Sequence, residues 1–225
     1  MGETKSISAT RLVAIPALIT LGVTILRLVG ELQHWPTPWF STAAGGGGAL
    51  VGISWLPIVF GPYFAVKLAD GGDRPSSTGK SVGFALLGLA VLFLSMFWAQ
   101  SMYSHLSYWV LVPFLLMLVA AFIPGVGWRT LGNALLVYAL AARIPVLVVM
   151  FFALRANGGQ GWGTHYDAIM PAFAHASLAK KFLYEALVPQ MTLWIGWTVA
   201  VGAVFGSVVA ALLRLRKGPA QAIGH

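Results

Sequence analysis

YALAARIPVLVVMFF, residues 138–152, is apolar nearly throughout, yet it carries Arg143 and Pro145 near its middle. It sits inside a longer apolar run over 133–154, and a stretch of about 20 such residues crosses a bilayer as a helix. A helix is the natural solution there, because lipid offers no partner to an unpaired backbone group. Read this way, the stretch fixes the class of the whole chain, since five further runs resemble it.

The six runs are 12–30, 49–69, 81–100, 107–124, 133–154 and 190–213. Between them lie HWPTPWFSTAAGGGG (34–48), DGGDRPSSTGK (70–80), SMYSHLS (101–107), PGVGWRTLG (124–132) and the long segment 156–181. Glycine, proline and small polar residues make each of these a turn or loop. The expectation is an all-α, polytopic membrane helix bundle of six transmembrane helices, forming one integral membrane domain over 1–225. Residues 177–188, SLAKKFLYEALV, have apolar positions at helical spacing with two lysines opposite. They read either as an interfacial helix or as an early start to the last span.

Composition agrees. Of 225 residues, 58% are hydrophobic and 9% charged, with a mean hydropathy of +0.82. Soluble domains carry about 25% charged residues. A net charge of +8 raises nucleic acid as a partner. The basic residues, however, flank the apolar runs, where they orient spans and meet lipid headgroups. No nucleic-acid partner is expected. The chain has no cysteine, which removes thiolate metal sites and disulfides. The run after Lys5 and Arg11 is longer than a signal-peptide core and is read as a retained first span.

Alternation of six spans sorts the basic residues by side. With the N-terminus cytoplasmic, Lys5, Arg11, Lys67, Arg74, Lys80, Arg129, Arg214, Arg216 and Lys217 lie inside, against Arg155, Lys180 and Lys181 outside. That excess places both termini in the cytoplasm of a multi-pass inner-membrane protein.

Arg143 lies about 15 Å along its helix from the inner end of its span, close to the midplane. Insertion at that depth costs at least about 2.5–3.5 kcal/mol. The acids Glu3, Glu31, Asp70, Asp73, Asp167 and Glu185 all lie in loops, at the N-terminus or near interfaces. Two readings follow: an arginine that locks helices together through carbonyls and hydroxyls, or the anchor of a polar cavity. Pro145 frees the carbonyl of Ala141 as one partner. Ser54, Tyr63, Ser95, Gln190 and Thr192 are the other candidates. Arg27 and Glu31 share a helix face four residues apart, as an intrahelical pair or as the charged mouth of such a pocket. Pro57, Pro62 and Pro145 are candidate helix breaks of the kind that expose carbonyls near transport sites.

His34, His105, His165 and His175, with Tyr166, Asp167, Glu31 and Glu185, gather on the outer side as a second possible site, in which the histidines and Asp167 are the candidate metal ligands, although no established motif spacing is present. TGKS at 78–81 lacks the first glycine of a phosphate-binding loop, because position 74 is Arg74. The leading functional expectation is therefore not an enzyme. It is binding or translocation of a small solute, anion or proton around Arg143, with no cofactor. Two other classes stay open: an accessory subunit of a larger membrane complex, and a metal-dependent membrane enzyme using the outer histidines. Lipid is the expected surrounding. GAVFG (202–206) and the Gly48–Gly52 spacing offer faces for close helix packing, within the chain or in an oligomer.

Overall fold

A computed structural model of the chain describes residues 9–45, 48–103 and 111–217. Its elements are α1 (Ala9–Leu32), α2 (Leu56–Asp70), α3 (Thr78–Tyr103), α4 (Leu111–Ala120), α5 (Ile123–Gly127), α6 (Arg129–Arg155), α7 (Leu178–Lys181), a π-turn (Phe182–Leu187), α8 (Val188–Met191) and α9 (Leu193–Lys217). Short 3₁₀ turns at Ala156–Gly159 and Pro171–Phe173 punctuate the long loop. No strand occurs among the described residues. Four helical runs are long and apolar enough to cross a membrane: Ala9–Leu32, Thr78–Met102, Arg129–Gly159 and Leu178–Arg214.

Two runs differ from the helices expected at 49–69 and 107–124. The first is helical only from Leu56, giving 15 residues, or about 22 Å of a hydrocarbon core about 30 Å thick. Pro57 stands in its first turn, where a missing N–H costs nothing. The glycine-rich residues before it favour no helix. Their backbone is satisfied instead by the preceding loop: the amides of Leu50 and Val51 donate to the carbonyls of Pro38 and Trp39 at 3.0 and 3.1 Å. The second run breaks between α4 and α5, ahead of Pro124. Residues 104–110, which hold the start of that run and His105, lie outside the described residues.

The last run bends. Pro189 has no N–H for the carbonyl four residues back, at Glu185, and the preceding turn is widened to π geometry. A second irregularity falls at Thr192, with φ −119° and ψ −74°. By contrast, α2 and α6 run through Pro62 and Pro145 as continuous helices.

Helix α9 is the hub, packing on α2, α3, α4 and α6. Its crossing with α2 is set by glycines. A side chain at Gly61 or Gly206 would strike the backbone of the other helix, and one at Gly202 would strike Leu135. GAVFG thus serves packing within the chain. The lateral faces are apolar: Leu94 and Phe97 are 70% and 73% exposed, and Ile15, Leu18, Ile144 and Val148 also point outward. Thr20, Thr24, Ser81, Ser95, Thr198 and Ser207 are buried. Polar residues inside and apolar residues outside is the distribution that suits lipid as the outer solvent. Most of these hydroxyls bond within their own helix, as when Thr24 donates to the Thr20 carbonyl at 2.9 Å. Others join helices: Ser81 to Ser207 at 2.7 Å and Thr20 to Tyr138 at 2.8 Å.

Each end of the bundle has its own polar ties. At one end Asp73 accepts from Trp128 Nε1 at 2.8 Å and from Thr130 at 2.6 Å, while Arg214 donates to Thr78 and the Pro75 carbonyl. At the other, Trp197 Nε1 donates to the Ser54 carbonyl at 2.7 Å, and the long loop closes on α1.

Candidate functional site

A loop with no periodic signal closes that second end. Asp167 accepts from the amides of Gly163 and Thr164 at 2.9 and 3.0 Å and from the Thr164 hydroxyl. Gly161 and Gly163 take φ of +84° and +76°, which glycine adopts without strain. The resulting tight turn presents His165 and Tyr166 to α1. Asp167 is thus spent on shaping the loop.

Glu31 receives the loop. Its carboxylate accepts from the His165 amide at 2.8 Å, from His165 Nδ1 at 2.6 and 2.8 Å, and from Arg27 Nε at 2.7 Å. Because an ionised carboxylate only accepts, Nδ1 carries the ring proton. Arg27 also donates to the Ser41 carbonyl at 3.1 Å, tying α1 to the loop before α2. Tyr166 donates to the Thr24 carbonyl at 3.2 Å. Burial pushes the His165 imidazole below its usual range, although Glu31 and Asp167 favour its charged form; nearby Arg27 adds to the depression. Burial likewise raises the Tyr166 phenol.

Beneath this closure lies a cavity of about 340 Å³, bounded by α1, the non-helical stretch before α2, α4, α6, the long loop and the bent run from the π-turn into α9. Arg143, Arg27, Ser54 and Gln190 all line it, and so does His165. Arg143 is 4% exposed, and its guanidinium carbon lies 4.7 Å from the centre of the Trp194 ring. That is a cation–π contact in a desolvated place. Its Nε has no hydrogen-bond partner among the described residues. The contact Arg143 makes to another helix is the one with Trp194 rather than a bond to the Ala141 carbonyl. Two more buried atoms on the same wall lack partners: Glu185 Oε1 and Gln190 Oε1.

Other expected residues fall elsewhere. Tyr63 packs on the apolar core, edge-on to Phe64 at 5.5 Å. Ser95 and Thr192 donate to carbonyls of their own helices, at Val91 and Val188. His34 and His175 are exposed and His105 is outside the described residues. No group of three metal-ligating side chains occurs among the described residues. His165 and Asp167 instead have the loop-closing roles above.

Tyr166 and Glu185, expected beside the outer histidines, line the cavity instead, and Trp194 joins them from the aromatic belt. The widened π-turn places Glu185 on the lining of the cavity that Arg143 also lines. The sequence does hold one signal, Pro189 four residues on. No protein-family model matches the chain, and no curated protein or solved structure matches it either.

Proposed function

We propose that the chain is a six-span membrane protein, both termini cytoplasmic, that binds and translocates a small solute whose anionic group rests on Arg143. One observation carries the reading. An arginine in mid-helix, its Nε without a partner among the described residues, lines a cavity. Holding a cation at that depth costs several kcal/mol unless something polar meets it. Pockets of this size and mixed lining suit small molecules.

The placement of charge supports the topology. Arg11, Lys67, Arg74, Lys80, Arg129 and Arg214 belong to the end opposite the cavity's loop. Positive residues favour the cytoplasmic side, so the cavity and the loop that covers it lie toward the outer side of the inner membrane. The non-helical stretch before α2 completes its crossing, tolerated at that depth because protein covers it. Beyond Arg143, toward the basic end, Phe60, Phe64, Leu135 and Tyr138 form a packed apolar core. Translocation requires that core to part, and the glycine-lined α2–α9 crossing is where two helices slide most easily.

The test is uptake of small organic anions into proteoliposomes. Wild type takes them up above empty vesicles, and Arg143→Gln, matched for folding, loses at least about 90% of the rate. Equal uptake by the two proteins removes the reading.

A further inference from the structure

Three residues that line the cavity each hold a buried polar atom without a partner, and the three atoms differ in kind. Arg143 Nε is a donor and a cation, whereas Glu185 Oε1 and Gln190 Oε1 are acceptors. The amide of Gln190 is oriented by its own nitrogen, which points at Met150 Sδ at 3.6 Å and leaves the oxygen facing away from the sulfur. Glu185 forms no ion pair with Arg143, although both line one cavity. Arg27, the other cation on the wall, has Glu31 for itself. Arg143 and Glu185 are thus the two charge-bearing groups of this lining without an ion-pair partner among the described residues, and Glu185 keeps a backbone bond with Met170.

A bare anion answers only half of this wall. It satisfies Arg143 and leaves a carboxylate oxygen and an amide oxygen without a donor, which is costly in a buried site. A bare amine fails at the other half. From this we infer that the ligand is a small zwitterion, an α-amino acid being the simplest. Its carboxylate rests on Arg143, its ammonium donates to Glu185 and Gln190, and its side chain lies among Trp194, Met150 and Phe114. This deepens the anion-binding reading given above and rests on it. Charge-assisted bonds at both ends also supply selectivity, because an analogue lacking one group strands the protein atoms that matched it.

The experiment is calorimetric titration of the full chain in detergent with alanine, leucine and phenylalanine, each against the acid that lacks its amino group. At least one amino acid binds about tenfold or more tightly than its matched acid. In Glu185→Gln that advantage falls below about threefold. Acids that bind wild type as tightly as their amino acids overturn the zwitterion and leave the anion site standing. If neither binds, the anion site is overturned as well. The wild-type comparison needs no variant to fold.

Discussion

Glu31 and His165 stand 134 positions apart in the chain, yet the carboxylate takes both the amide and the ring N–H of the histidine at 2.6–2.8 Å. This contact fastens the long loop over the cavity, and its chemistry makes it sensitive to acid. Arg27, Glu31 and Asp167 face the ring, and burial outweighs the two carboxylates, so the folded value lies below 6.5. The unfolded chain then binds more protons between that lowered value and 6.5. Stability is complete above pH 6.5 and falls as acid takes the pH below it. Unfolding in detergent is expected at lower temperature at pH 5 than at pH 7, by roughly 2–4 °C per kcal/mol lost. His165→Gln should flatten that dependence.

The Arg27–Glu31 pair is almost wholly shielded, with side-chain exposures of 6% and 0%. Removing one partner of a buried pair typically costs about 3–5 kcal/mol, because the other charge is stranded. Glu31→Ala is therefore expected to destabilise more than the double change of Arg27→Met with Glu31→Leu. Thermal unfolding of the three proteins side by side checks the order.

Where α9 packs on α6, Gly202→Leu drives a side chain into Leu135. Overpacking of this kind costs about 1–3 kcal/mol or more. Gly22→Ala on α1 meets nothing within 4 Å and serves as the control. Loss of the folded monomer peak on size exclusion for the first, and its retention for the second, is the expected pair of results.

Topology is open to a direct check because the chain has no cysteine of its own. Ser76 and His175 are exposed on the two loops at opposite ends. In intact cells a membrane-impermeant maleimide is expected to label His175→Cys and to spare Ser76→Cys until the membrane is opened. The reverse pattern would invert the orientation.

Much of this architecture is legible in the residues. The apolar runs that became α1, α3, α6 and α9 declare themselves by length, and Arg143 stands out because its cost in lipid is large. What hides is whatever depends on a loop. Nothing periodic in residues 161–168 says that Asp167 turns the chain so that His165 meets Glu31. Histidines near carboxylates read as metal ligands when only their types are known. The 49–55 stretch is apolar enough to read as helix, but the amides of Leu50 and Val51 go to residues 38 and 39 instead. Trp194 passes for one more interfacial aromatic until α9 brings it against Arg143.

The decisive property is whether Arg143 faces a bound solute. Equilibrium binding of a radiolabelled carboxylate to purified protein measures this, with Tyr63→Phe as a variant outside the cavity. Saturable binding is expected in wild type and Tyr63→Phe, weakened about tenfold to a hundredfold in Arg143→Gln, the loss of a charged hydrogen-bond partner. Identical affinity in Arg143→Gln and wild type would contradict it.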